Sequence, residues 1–302
     1  GFMETLNNSL TALSYYEENE VYPRSSAVVV MNPLSQDLSL MRQTLLYGGL
    51  ESISHNVNRK ASDLRLYEFG NVYSYDPARA ESRPDRPLAA YSESMHLALW
   101  LTGDFRLPGW NSQRAEATVY DLKGVVENLL RTLGIPQGAL RYSQDHNQIF
   151  SVRLRIESKA GKNLGHLGLI SRKELQRFGI EGDVAYAEFD WDELYRMASR
   201  TEVLYAPLPK TQPVRRDLAL LLDADVPFAR VEEAIRKAER KLLREVWLFD
   251  VYEGKNLPAG KKSYAVAMTL QDEEKTLNDH QIDAVMKKII DSLTKNVGAE
   301  LR

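Results

Sequence analysis

Apolar residues in the last third of the chain change period in a regular order. Residues 215–222, RRDLALLL, read as a strand. Val231, Ala234, Ile235, Ala238 and Leu242 recur at three- and four-residue spacing and predict a helix over 228–243. Residues 246–254 and 262–270 alternate as two strands. Ile282, Val285, Met286, Ile289, Leu293 and Val297 then predict a second helix over 279–297, with Asn278 and Gln281 placed to cap its start. The order strand, helix, strand, strand, helix and a short closing segment is that of a ferredoxin-like βαββαβ sandwich over 214–302.

Alternation assigns the faces of its two central strands. Trp247, Phe249 and Val251 share one side and Leu248, Asp250 and Tyr252 the other. Tyr264, Val266, Met268 and Leu270 oppose Ser263, Ala265, Ala267 and Thr269. The bulky apolar sets are expected beneath the helices. The other face then presents Asp250, Tyr252, Ser263 and two alanines. An open sheet carrying an aromatic ring and small polar groups can hold an unstacked nucleobase. Taken alone, Asp250 reads equally as a solvated strand residue paired with Arg215 or Arg216, and Tyr252 as a cross-strand packing residue.

The first two hundred residues mix periods. Leu38, Met41, Leu45, Leu46, Leu50, Ile53 and Val57 predict a helix over 35–58, and Val119, Leu122, Val126, Leu129 and Leu133 a helix over 119–133. Residues 63–75, 95–103 and 150–158 read as strands, and 185–194 as a strand running into a short helix. The sum is an α+β domain on a largely antiparallel sheet. Residues 76–94, polar and rich in proline, are expected to form a mobile loop. Tyr205–Pro213, with three prolines, is a stiff connector. The predicted organisation is a domain over 1–204, a linker over 205–213 and a domain over 214–302.

Composition narrows the chemistry. The chain has 302 residues, 43% apolar and 27% charged, with net charge −3 and no cysteine. Disulfides, Cys-ligated zinc and thiol nucleophiles are excluded. Residues 205–302 hold 17 Lys and Arg against 16 Asp and Glu, so any RNA contact there rests on local geometry more than on a basic field. No apolar run is long enough to span a membrane. No phosphate-binding glycine loop, nucleophile elbow or histidine metal motif occurs. The five histidines, His55, His96, His146, His166 and His280, are scattered, and read as solvated or core residues. A start at Gly1 suggests a piece of a longer chain, without signal sequence and cytoplasmic.

Several strings in order resemble the β subunit of bacterial phenylalanyl-tRNA synthetase. They are Asn32-Pro33-Leu34-Ser35, Met41-Arg42-Gln43-Thr44-Leu45-Leu46, His55-Asn56 and Leu66-Tyr67-Glu68-Phe69-Gly70-Asn71-Val72-Tyr73. In the second region they are Val214-Arg215-Arg216-Asp217-Leu218, Leu248-Phe249-Asp250-Val251-Tyr252-Glu253-Gly254, Gly260-Lys261-Lys262-Ser263-Tyr264, Thr276-Leu277 and Leu301-Arg302. The resemblance implies a non-catalytic, degenerate copy of the class II aminoacyl-tRNA synthetase-like antiparallel core, followed by a ferredoxin-like anticodon-binding domain. It also implies that the active site lies on an α subunit in an α2β2 assembly charging tRNA(Phe). This chain departs from a class II active site in having Glu68-Phe69-Gly70 on the relevant strand and no GxGxxR between Gly165 and Gly179. Without a cationic clamp on a triphosphate it is expected to lack adenylate chemistry.

By residue match, Tyr252 would stack on the first anticodon base, Asp250 and Ser263 would bond its edge, and Lys261, Lys262, Arg215 and Arg216 would hold phosphates. No cofactor or metal is expected on this fragment; ATP and Mg2+ belong to the whole enzyme. Neither DNA nor membrane is an expected partner. The editing domain and the acidic magnesium ligands of full β subunits are absent from this sequence, so neither function is expected of it. Two other readings stand beside this one. One is a regulatory amino-acid-binding ferredoxin-like module, which the acidic turn Asp223-Ala224-Asp225-Val226-Pro227 disfavours. The other is an autonomous class II enzyme.

Overall fold

The computed structural model describes residues 1–302 except 83–84, 202–204 and 206, and omits the side chains of Pro87 and Gln137. The chain forms two compact units, Gly1–Val203 and Leu204–Arg302.

The first unit is built on a seven-stranded sheet. Its strands are β1 (Met3–Glu4), β2 (Leu64–Tyr75), β3 (Tyr91–Thr102), β4 (Leu140–Asp145), β5 (Phe150–Ser158), β6 (Asn163–Ile170) and β7 (Val184–Asp190), in the order β1-β2-β3-β7-β6-β5-β4. Every neighbouring pair is antiparallel except β1 with β2. Helices α1 (Leu46–Val57), α2 (Val119–Thr132) and α3 (Trp191–Ala198) flank the sheet. Leu97, Leu99, Leu101, Ala185, Ala187 and Phe189 face a core with Leu122 and Val126 of α2 and Leu194 of α3. Residues of opposite parity, among them Leu66, Ala98, Trp100 and Tyr186, face Leu46, Leu50 and Ile53 of α1. The helix approaches closely: a Cβ on Gly49 would lie 2.1 Å from the Trp100 indole.

The helix expected over 35–58 starts only at Leu46. Leu40–Met41 instead pairs with Leu10–Thr11, and the Thr44 hydroxyl accepts from the Leu46 amide. The apolar spacing upstream is real, but those side chains are held by long-range pairing rather than by a helical turn. The expected loop over 76–94 holds a short helix, Pro77–Ser82, and its last four residues belong to β3, paired with Val72–Tyr75. Residues 83–84 of that loop lie outside the described residues.

A row of ionisable groups crosses the α1-facing side of the sheet. Register places Glu68 opposite Ala98, Ala98 opposite Glu188, Glu188 opposite His166 and His166 opposite Arg155. Each charge has an internal partner. Buried Glu68 accepts from Arg42 at 2.6 Å and from the Asn7 side chain at 2.6 Å. A Cβ on Gly70 would lie 2.1 Å from the Arg42 guanidinium, so the bare glycine is what admits it. Glu188 accepts from the Thr44 hydroxyl at 2.6 Å, the Leu45 amide at 3.2 Å and the Tyr186 hydroxyl at 2.7 Å, and lies 2.8 Å from Nδ1 of His96. Arg153 and Arg155 both bond Asp145.

The second unit contains β8 (Val214–Asp223), α4 (Phe228–Ala238), β9 (Leu243–Tyr252), β10 (Lys261–Leu270), α5 (Asp279–Val297) and β11 (Glu300–Leu301). Its sheet order, β9-β10-β8-β11, and antiparallel pairings are those of a ferredoxin-like fold. Leu220, Leu222, Val266 and Met268 pack on Val231 and Ile235 of α4 and on Ile282, Ile289 and Leu293 of α5. The expected cap on α5 forms: the Asn278 side chain accepts from the Gln281 amide at 2.9 Å and the Gln281 side chain accepts in return at 3.1 Å. The helix closes at Gly298 in the left-handed region, φ 65°. Helix α4 stops at Ala238, short of the expected 243, because Glu239 turns extended and caps the amides of Lys241 and Leu242. Ala206 of the connector lies outside the described residues. Its far end is tied to this unit by the Gln271 side chain bonding the Thr211 carbonyl at 2.7 Å.

Two stability predictions come from the buried row. Glu68→Ala should cost about 3–5 kcal/mol by leaving the Arg42 charge buried and unpaired, and Arg42→Met in the same chain should recover part of it; urea unfolding reads both. The pH dependence has a definite sign. Burial holds His166 at about 4, against 6.5 when free, so the fold loses stability as pH falls from about 6.5 to about 4. Burial alone would raise Glu188, but His96 and its other partners hold it at about 2 against 4.5, adding a second loss below about 4.5. His96 acts oppositely: burial lowers it, Glu188 outweighs burial, and its stabilisation fades as pH rises above 6.5 through its raised value. Urea unfolding should weaken steadily from pH 6.5 to pH 5, and His166→Asn should flatten that decline.

Candidate nucleic-acid interface

The two helices of the second unit pack on one side of its sheet, and neither covers the other side. On β8 the residues of helix-facing parity are Val214, Leu218, Leu220 and Leu222; those of open parity are Arg215, Asp217, Ala219, Leu221 and Asp223. On β10, Ser263, Ala265, Ala267 and Thr269 take the open side.

Strand β9 does not keep strict alternation. Trp247 pairs with Ala267 and Leu248 with Val266, but the next pairs are Asp250 with Ala265 and Tyr252 with Ser263. Phe249 is the extra residue of a β-bulge. The expected faces are corrected accordingly. Leu248 packs on the helix-side core, and Trp247 lies on the open side, its ring 5.0 Å from the Arg215 guanidinium. The bulge then resets the parity, so Asp250 and Tyr252 still reach the open face.

The structure brings together Asp250, Tyr252, Ser263, Arg215 and Lys261 on this side. Tyr252 is 38% exposed and stands opposite Ser263, which is only 7% exposed. A Cβ on Gly254 would lie 2.5 Å from the Tyr252 hydroxyl, so the ring leans over a glycine turn. Arg215 also bonds Asp217 at 2.9 Å and lies 5.6 Å from the Phe249 ring. Lys261 bonds Asp223 at 2.9 Å, and that hydrogen bond raises its pKa. This pair occupies the acidic turn before α4.

Lys262 and Arg216 fall on the helix side. Lys262 pairs with Leu222 and is 6% exposed, with its ammonium 4.7 Å over the Tyr264 ring; Arg216 pairs with the core residue Met268 and bonds the Arg215 carbonyl at 3.0 Å. The four basic residues are consecutive pairs, and pleating sends each pair to opposite sides.

Two residues of this face escape periodicity. Trp247 was hidden by the bulge. Arg302 follows β11, its amide bonds the Ala219 carbonyl at 3.0 Å, and its guanidinium lies 5.9 Å from the Tyr252 ring. Two arginine–aromatic pairs, Arg302–Tyr252 and Arg215–Trp247, thus flank a floor of Ala219 and Ala265, while Ala267 beside Trp247 is fully buried. Small side chains there let a flat ligand reach the backbone, and each aromatic offers a stacking surface.

Residues 1–191 match the family described as phenylalanyl tRNA synthetase beta chain CLM domain, and residues 209–302 match the ferredoxin-fold anticodon binding domain. Curated relatives named phenylalanine–tRNA ligase beta subunit align over the whole chain, at 47% identity in Bacteroides fragilis, 48% in Porphyromonas gingivalis and 34% in Symbiobacterium thermophilum. The chain spans 37% of the length of the first two and 33% of the third. A solved pyrrolysyl tRNA synthetase from Desulfitobacterium hafniense overlaps 66% of this chain and 64% of its own, at TM-score 0.46 and 13% identity, a likeness too slight to carry weight. The two domain matches in this order, with full-length alignment to these relatives, show that the chain belongs to the phenylalanyl-tRNA synthetase β-chain family.

Proposed function

We infer that this chain is the non-catalytic C-terminal part of a phenylalanine–tRNA ligase β subunit, and that its ferredoxin-like unit reads the anticodon of tRNA(Phe). The observation that carries the reading is the helix-free sheet face, where Asp250 and the half-exposed Tyr252 stand beside Ser263, Ala219 and Ala265. Tyr252 stacks on an anticodon base, and the Asp250 carboxylate accepts from a guanine edge, whose N1–H and N2–H both donate. Arg215 and Lys261 serve the backbone phosphates from the same side. Lys262 and Arg216 have no part in this contact, since they belong to the other face.

The first unit, on this reading, packs against an α subunit in an α2β2 cytoplasmic enzyme that uses ATP and Mg2+. Its own residues do not suit a triphosphate. Along the sheet face facing α1, Arg42 is committed to Glu68, and Arg153 and Arg155 to Asp145. Among the described residues, these three arginines of that face leave no free cationic clamp for adenylate formation.

In the assembled enzyme, replacing Tyr252 and Asp250 together with Ala should lower kcat/KM for tRNA(Phe) roughly 10- to 100-fold, the scale of one lost stacking contact. Phenylalanine activation, followed by pyrophosphate exchange, should stay at the parental rate. Unchanged tRNA kinetics would remove the role assigned to this face. Arg215→Ala should weaken tRNA binding and reduce its salt dependence, whereas Arg216→Ala should leave the salt slope where it was.

A further inference from the structure

The open face of the second unit carries more ring surface than one base can use. Tyr252 stands opposite Ser263 and Trp247 opposite Ala267. Four residues of β10 separate these two pairs, about 14 Å along the strands. The row between them, Asp250–Ala265–Ala219, carries no ring.

The far group is built around Arg215. Asp217 accepts from its Nε at 2.9 Å and from its Nη2 at 3.3 Å, which fixes the plane of the guanidinium. Its Cζ lies 5.0 Å from the centre of the Trp247 ring and 5.6 Å from that of Phe249. Packing accounts for part of this cluster, since Ala267, opposite Trp247, is fully buried. It does not account for Phe249. That ring is the extra residue of the bulge, is 49% exposed and lies outside the helix-side core.

Aromatic rings and guanidinium planes are the surfaces on which unstacked bases of single-stranded RNA stack. Asp217 opposes the charge of Arg215, so the group offers flat faces more than net charge. Nη1 of Arg215 makes no hydrogen bond among the described residues and is left for a phosphate of the same strand. The carboxylate beside the rings is spent on Arg215, so this end lacks the free base-reading edge that Asp250 supplies at the other. Stacked bases rise roughly 3.4 Å each, so one base cannot cover both Tyr252 and this group. A single-stranded run with splayed bases can.

We propose that Trp247, Arg215 and Phe249 form a second stacking platform, which holds another unstacked base of the RNA whose first base lies on Tyr252. The proposal rests on the anticodon reading above and extends the contact from one nucleotide to a run of them. The platform adds affinity without choosing the base, because every base has a face to stack.

The test is binding of the anticodon stem–loop of tRNA(Phe) to the assembled enzyme, followed by fluorescence anisotropy, with abasic nucleotides placed one at a time around the loop. Trp247→Leu with Phe249→Leu should weaken the loop roughly 5- to 30-fold, the scale of one lost stack. Trp247→Phe, which keeps a ring over Ala267, should bind as the parent does. One abasic position should cancel the loss caused by the double variant. It should lie apart from, and not adjacent to, the position whose removal cancels Tyr252→Ala. Changing the base at the platform position should leave affinity unaltered. If urea unfolding shows that Trp247→Leu disturbs the sheet, Phe249→Leu alone, at a half-exposed position, reads the platform. Parental binding by these variants, or a loss that no abasic position cancels, overturns the proposal. Should Tyr252→Ala weaken the loop in that same experiment, the anticodon reading survives and only the platform falls; should Tyr252→Ala also bind as the parent does, both fall.

Discussion

The bulge at Phe249 governs what the second unit can offer to a ligand. A strand that alternated without interruption from Trp247 would place Asp250 on the side opposite Trp247, beneath the helices. One extra residue lets Trp247, Asp250 and Tyr252 all reach the open face while Val246 and Leu248 stay in the core. The bulge therefore assembles two stacking rings and a carboxylate on a surface that regular pleating would have split. β-Bulges serve this purpose elsewhere, re-aiming a side chain near a functional site. The tight alanine floor then sets the working distance between ligand and backbone, and the two arginine–aromatic pairs set its lateral limits.

The first unit shows the opposite use of a sheet face. There the face against α1 carries charges across several strands, yet these are spent on one another. Glu68 is consumed by Arg42 and Asn7, and Glu188 by four partners. A buried charge is tolerated only when its hydrogen-bonding capacity is met, so the network fixes the geometry around Thr44 and Tyr186 more than it adds net stability. The same commitments remove the arginines that a triphosphate would need.

The parts of this fold that were legible are those set by local period. Helix α5 and its cap follow from residues within one stretch, and so do β8, β10 and the strand-to-helix passage from β7 to α3. Apart from the early stop of α4, set by the local Glu239 cap, the failures come from long-range pairing that overrides local spacing. Leu38 and Met41 fall at helical intervals, yet Leu40–Met41 pairs with a strand thirty residues upstream. The bulge has no glycine or proline to mark it, so periodicity alone puts Trp247 on the wrong face. Arg302 reaches Tyr252 only because β11 closes the sheet at the far edge. His96 and His166, unremarkable in sequence, meet around Glu188 through sheet register alone.

The charge balance of the second unit favours recognition by shape over recognition by field. The second unit carries nearly equal numbers of acidic and basic residues, and of its three open-face cations Arg215 is bonded to Asp217 and Lys261 to Asp223, with Arg302 over Tyr252. Such a surface generates little long-range field, so it contributes weakly to encounter with a polyanion. What it retains at short range is directional: ring faces, a carboxylate edge and a close backbone. Specificity for a base depends on those short-range terms, whereas phosphate contacts chiefly fix position. A face of this kind works best when other parts of an assembly have already brought the nucleic acid within reach, which is the division of labour expected of one domain within a larger subunit.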